Sequence, residues 1–172
     1  VMAAGTFDLR EIVHLQLTNR MPFGLPQLLG FIVFWVAAFA ETNRLPFDLP
    51  EGESELVGGY HTEYAGMKFS MFFIAEYANM WTAAALMTCL FWGGHTVPLL
   101  GWDPGQLGGI AGVAISTLVF LAKISIFLFM FIAVRWTIPR FRYDQLMDLG
   151  WKNLLPLGLI NLVVWAVIIA WQ

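Results

Sequence analysis

Charge is scarce in this 172-residue chain: 12% of its residues are Asp, Glu, Lys or Arg, against 59% hydrophobic, and the mean hydropathy is +0.69. Soluble domains carry about twice that share of charge, so the composition excludes an ordinary soluble fold and implies an integral membrane protein. Cysteine is scarcer still. The single Cys89 sits inside an apolar run, which rules out a disulfide framework and a thiolate iron–sulfur site supplied by this chain. His14, His61 and His95 are scattered without metal-ligand spacing, and no pair is placed to hold haem, so no metal is expected. Phosphate-binding glycine loops, nucleophile elbows and zinc motifs are missing, and no basic stretch has the size or charge of a nucleic-acid surface. Val1 to Ala4 lack the basic start of a signal peptide and read as the tail of a preceding apolar helix. The expectation is that the N-terminal part of the natural protein is missing or belongs to another chain.

What is abundant is apolar sequence. A spanning helix needs roughly 20 mostly apolar residues, and four windows qualify, at residues 21–40, 68–94, 106–134 and 153–171. The fold class expected is therefore all-α integral membrane, a single membrane domain of about four complete transmembrane helices. A short amphipathic helix precedes them at residues 6–18. There Leu9, Ile12, Val13 and Leu17 fall near one face, and Asp8 and Glu11 have capping-box spacing. It lies along the membrane surface or simply connects two spans, with His14 on its solvated face. Pro22 and Pro26 stand where the first span begins, and Pro46 and Pro50 forbid a regular helix after it. The third span opens with Gly105 and Gly109, and with Gly108, Gly112 and Ser116, at a small-xxx-small spacing that favours close helix contact. Lys123 interrupts its middle.

The acids are concentrated. Glu41, Asp48, Glu51, Glu53, Glu55, Glu63 and Glu76 lie between Glu41 and Tyr77 with only Arg44 and Lys68 to offset them, a local charge of about −5 against −3 for the whole chain. The connections at 41–67 and 135–152 are separated by two spans and so share a side. Together with Lys68, they hold six Lys and Arg residues against two, Arg10 and Arg20, opposite. The positive-inside rule places that side in the cytoplasm or the mitochondrial matrix and the C-terminus outside.

An ionised side chain at mid-membrane costs at least ~2.5 to 3.5 kcal/mol, so Glu76 and Lys123 should face protein or water. Glu76 handles protons or is a carboxylate stabilised by a helix N-terminus, with the first reading favoured. Lys123 is either functional or the counter-charge of such a carboxylate. Within EGESE, Glu51 and Glu55 share a face in a helix, and Glu51, Glu53 and Glu55 share one in an extended chain. Two carboxylates ~4 Å apart repel by about 4 kcal/mol at an effective dielectric near 20, roughly a thousandfold in proton affinity, so an enclosed cluster titrates as a coupled set that could store or relay protons. A wet loop whose acids are solvated, pair with Arg44 or anchor a partner explains the composition as well or slightly better. Phe69, Phe73, Glu76 and Tyr77 share a helical face, giving an apolar wall beside a carboxylate that could line a tunnel or merely pack.

The blocks AETNRLPFDLPEGESELVGGYHTEYAG, FFIAEYANM and RWTIPRFRYDQLMDLGWKNLLPLGLIN strongly resemble the membrane subunit 1 family of respiratory complex I, the proton-pumping NADH:quinone oxidoreductase. The resemblance extends over essentially the whole chain and implies that it represents the C-terminal half of a larger helical subunit. It further implies docking of the peripheral arm and a tunnel through which quinone, the substrate, enters from the bilayer. It also implies a chain of carboxylates, Glu41, Asp48, Glu51, Glu53, Glu55, Glu63 and Glu76, leading towards antiporter-like pumping subunits. Arg135 and Arg140 would stand near the inward mouth, and Phe69 and Phe73 along the tunnel. FMN and the iron–sulfur clusters would belong to partner subunits, and the membrane would be a bacterial inner membrane, with the mitochondrial inner membrane as second choice. With the resemblance, the proton-linked reading of the acidic loop moves ahead of the wet one. Two other readings are the membrane anchor of a related energy-converting hydrogenase, which the complete ETNR and EGESELV blocks disfavour, and a stand-alone proton or cation channel, which would conduct as an isolated chain.

Overall fold

The computed structural model describes residues 2–42, 46–47, 66–139 and 141–171. Within them the architecture is all-α: helices α1 (Leu9–Thr18), α2 (Leu28–Glu41), α3 (Met67–Phe91), α4 (Gly109–Thr137), α5 (Tyr143–Asp148) and α6 (Leu155–Ala170).

Helix α1 starts where Asp8, in an extended conformation, accepts a bond from the Arg10 amide at 2.9 Å. Its buried face is Ile12, Val13 and Gln16, whereas Leu9 is exposed. The apolar stripe expected from the sequence is thus shifted to take in a polar residue. Helix α2 begins later than the expected 21–40 window, because Pro22 to Gln27 form turns instead. Those turns are fastened elsewhere: the Gly24 amide donates to the Phe91 carbonyl at 2.8 Å. Fourteen residues remain, about 21 Å at ~1.5 Å per residue.

Helix α3 has 25 residues and buries one stripe, Met80, Ala84, Met87, Thr88 and Phe91, at helical spacing along its second half. That stripe meets Phe31, Ala38 and Phe39 of α2 and Ile124, Phe127 and Phe131 of α4 in an aromatic core. The Phe39 and Phe131 rings lie 4.2 Å apart, and Phe31 meets Phe91 edge-on at 5.3 Å. The first turns of α3, before Met80, bury no residue.

Helix α4 is long and apolar enough to cross a membrane, and so is the continuous run Tyr143–Ala170. Within that run a π-helical turn, Leu149–Leu154, joins α5 to α6. Pro156 explains the widening, since it has no N–H to donate back to Lys152. Helix α6 buries none of its own residues, but it approaches α2 where Gly30 makes room. A Cβ there would lie 2.9 Å from Asn161 Nδ2.

Between α3 and α4 the chain makes two short 3-10 turns, Pro98–Leu100 and Pro104–Leu107, and Val97 and Trp102 form an isolated bridge. The glycine stripe of α4 departs from expectation here. Among the described residues, Gly112 backs onto the carbonyls of Pro104 and Gly105, which would lie 3.2 and 3.5 Å from a Cβ at that position, while Gly108 and Gly109 face open space. Gly112 therefore accommodates the chain's own turn.

Candidate functional site

Glu41 is the last residue of α2, exposed at one end of the seam between α2 and α3. It lines a cleft of about 140 Å³ with Phe34, Ala37 and Ala38 of its own helix and Asn79, Thr82, Ala83 and Leu86 of α3. Glu76, half-buried, lies one turn before Asn79 on the same face of α3. The two carboxylates that the sequence separates by 35 positions thus flank one seam. One turn further out, Phe69 and Phe73 meet edge to face at 4.8 Å, continuing that face as an aromatic strip. Helical spacing alone placed Phe69, Phe73 and Glu76 on one face; it did not bring Glu41 to the same seam.

The same end of the molecule receives the basic connection. The Phe141 amide donates to the Pro46 carbonyl at 3.1 Å, and the Phe47 and Phe141 rings stand 5.7 Å apart. The beginning of the acidic stretch and the connection after α4 are therefore in contact. Arg135 is exposed in the last turn of α4. Asp48, Glu51, Glu53, Glu55, Glu63 and Arg140 lie outside the described residues, as do Arg44 and the middle of the stretch.

The opposite end of α3 holds what sequence reading missed. A helix terminus leaves four carbonyls without intrahelical partners, and inside a bilayer each unsatisfied group costs several kcal/mol. All four at the end of α3 are bonded. Thr88 O accepts from the amides of Trp92 and Gly94 at 3.1 and 2.9 Å. Cys89 O and Leu90 O accept from Gln16 Nε2 at 3.0 and 3.2 Å, and Phe91 O accepts from Gly24 N. Gln16 is fully buried, and its Oε1 accepts the Phe23 amide at 3.2 Å.

The chain past α3 is bonded in the same way, this time by Lys123. Its ammonium donates to Trp92 O at 2.7 Å, to Gly94 O at 3.1 Å and, closest of the three, to Thr96 O. A primary ammonium has three donors, and here they meet three carbonyls. The sequence offered Lys123 as a functional cation or a carboxylate's counter-charge; among the described residues its partners are backbone oxygens. A charged side chain on an apolar helix and a stretch of non-helical backbone, each costly if left unsatisfied, satisfy each other. The only sequence signals were a lysine in the middle of an apolar helix and a glutamine three residues after Val13 on an apolar face. Among the described residues, no group of three His, Cys, Asp or Glu is placed to hold a metal ion.

Comparison with known proteins adds the family. A family model described as NADH dehydrogenase matches residues 1–166. A Koribacter versatilis protein named as an H-type subunit of NADH-quinone oxidoreductase is 50% identical over 173 residues, covering 99% of this chain and 48% of that protein. NADH-quinone oxidoreductase subunit 8 of Rhodothermus marinus is 49% identical over 177 residues, 99% of this chain and 52% of its own length. For another H-type subunit of NADH-quinone oxidoreductase, from Cytophaga hutchinsonii, the identity is 46% over 167 residues, 95% of this chain and 47% of that protein. The chain spans about half the length of the curated relatives it matches.

Proposed function

Because the chain belongs to the NADH dehydrogenase family, we propose that it works as part of the membrane subunit 1 of a proton-pumping NADH:quinone oxidoreductase, coupling quinone reduction to proton translocation. Quinone is the substrate and enters from the bilayer through a tunnel to which Phe69 and Phe73 contribute. Arg135 and Arg140 stand at its inward mouth. The carboxylates Glu41, Asp48, Glu51, Glu53, Glu55, Glu63 and Glu76 respond to the charge that quinone reduction creates and pass protons or a conformational change towards the pumping subunits. FMN and iron–sulfur chemistry belongs to partner subunits of the peripheral arm, which this subunit docks. The host membrane is a bacterial inner membrane, in keeping with the bacterial origin of the relatives.

The observation that carries this reading is the shared seam: Glu41 at its rim, Glu76 one turn before Asn79, and the Phe69–Phe73 pair continuing the same face. An apolar strip running into carboxylates suits a ligand with a long apolar tail and a head group that takes up protons on reduction.

The test is Glu76→Gln in the assembled complex. The amide keeps the shape and removes the proton-accepting group. We expect NADH:quinone reductase and proton-pumping rates to fall together, by about tenfold or more, while NADH oxidation by an artificial acceptor on the peripheral arm is unchanged. Wild-type rates in both would remove Glu76 from the mechanism.

A further inference from the structure

Three backbone carbonyls converge at the end of α3, those of Trp92, Gly94 and Thr96, and Lys123 Nζ sits among them. The cup they form is preorganised by backbone turns. Gly93 and Gly94 have φ of 73° and 54°, a conformation that costs side-chain-bearing residues energy and glycine little. The Gly94 amide is tied to Thr88 O at 2.9 Å, and Gly93 O accepts both the amide and the hydroxyl of Thr96, at 2.9 and 2.8 Å. Thr96 itself is buried, and Pro98 closes the space behind Gly93, where a Cβ would lie 2.4 Å from Pro98 Cγ. None of these bonds involves Lys123, so the cup is held by its own turns and by the end of α3.

We propose that this cup is a binding site for a primary ammonium, which Lys123 fills from across the α3–α4 contact. Carbonyl oxygens attract a cation and accept its N–H bonds, but they do not take its proton at any ordinary pH. The negative end of the α3 dipole adds to the attraction. With its three donors committed to oxygens of this kind, Lys123 acts as a clamp between α4 and the chain that follows α3. The site favours an N–H donor, which a quaternary ammonium of the same charge does not offer.

Lys123→Ala removes three side-chain carbons and the nitrogen beyond Cβ, which n-propylammonium replaces. In the purified, detergent-solubilised complex carrying Lys123→Ala, amide exchange over residues 92–102 should become at least about tenfold faster. Millimolar n-propylammonium should restore the protection, whereas tetramethylammonium at the same ionic strength should not. Equal effects of the two salts, or unchanged exchange in the variant, would overturn the proposal. Lys123→Met, which keeps most of the volume and loses the charge and donors, should show the same faster exchange. If neither variant assembles, the wild-type complex still decides: on mild reductive methylation, Lys123 should stay unmodified while the exposed Lys68 and Lys152 react. Dimethylation of Lys123 at their rate in the folded complex would contradict the clamp. Each readout reports structure and not turnover, so failure here is distinguishable from failure of the quinone-linked reading.

Discussion

Helix α3 begins beside acids and ends among carbonyls, and the two ends are held in different ways. At the C-terminal end the last four carbonyls are bonded, with partners on α1 and in the turns before α2 as well as in the chain just beyond the helix. Lys123 of α4 then holds that following chain. At the N-terminal end the first turns of α3 stand clear of the buried stripe, which starts at Met80, and the polar side chains gather along the α2–α3 seam. One end is a junction in which a polar group that moves leaves a buried partner unsatisfied. The other carries Glu76 and the Phe69–Phe73 pair, the groups for which ligand contact is proposed. On the proposed function, the same helix links an anchored end to a responsive one.

Substitutions at the two ends should separate stability from activity. The largest loss of stability is expected for Phe131→Ala, which empties the centre of the aromatic core against Phe39 and should cost about 3–5 kcal/mol. Thermal inactivation of the purified complex in detergent, or failure of the subunit to assemble, measures it. Gln16→Leu comes next. It leaves the carbonyls of Cys89 and Leu90 and the Phe23 amide without their partner, and a buried unsatisfied group costs about 1–3 kcal/mol. A stability loss of about 2–3 kcal/mol, read in the same assay and accompanied by faster amide exchange at the end of α3, is the expected outcome.

At the acid end the ranking should invert. Phe69→Ala, at a residue 39% exposed, should cost about 1 kcal/mol or less of stability yet lower kcat/KM for quinone, which steady-state kinetics with a short-tailed quinone would detect. A large stability loss with unchanged kinetics would break the comparison. The smallest effect is expected at Asp148→Asn. Its ion pair with Lys152 is short, at 2.7 Å, but both side chains are exposed, and such pairs contribute about 0.5 kcal/mol or less.

The sequence and the structure agree best where periodicity is strong. Helices α3 and α4, the face shared by Phe69, Phe73 and Glu76, and the all-α class all follow from the spacing of apolar residues, since a helix of this length leaves few alternatives. Agreement fails where the partner of a side chain is backbone. Nothing in the letters says that Lys123 meets three carbonyls, because a carbonyl is present at every residue and only the turn at Gly93 and Gly94 aims these inward. Gln16 escaped notice for the same reason. The glycines of α4 were legible as small but not as facing Pro104 and Gly105, since spacing does not identify the neighbour. The start of α2 at Leu28 depended on Gly24 being bonded to the end of α3, a contact made far along the chain.

The division of labour along α3 is tested most directly by hydrogen–deuterium exchange on the intact complex, at rest and during NADH-driven turnover with quinone. Peptides covering residues 67–80 should change their exchange between the two conditions, and peptides covering residues 88–102 should not. A change confined to residues 88–102, with the acid end of the helix unaffected, would contradict the account.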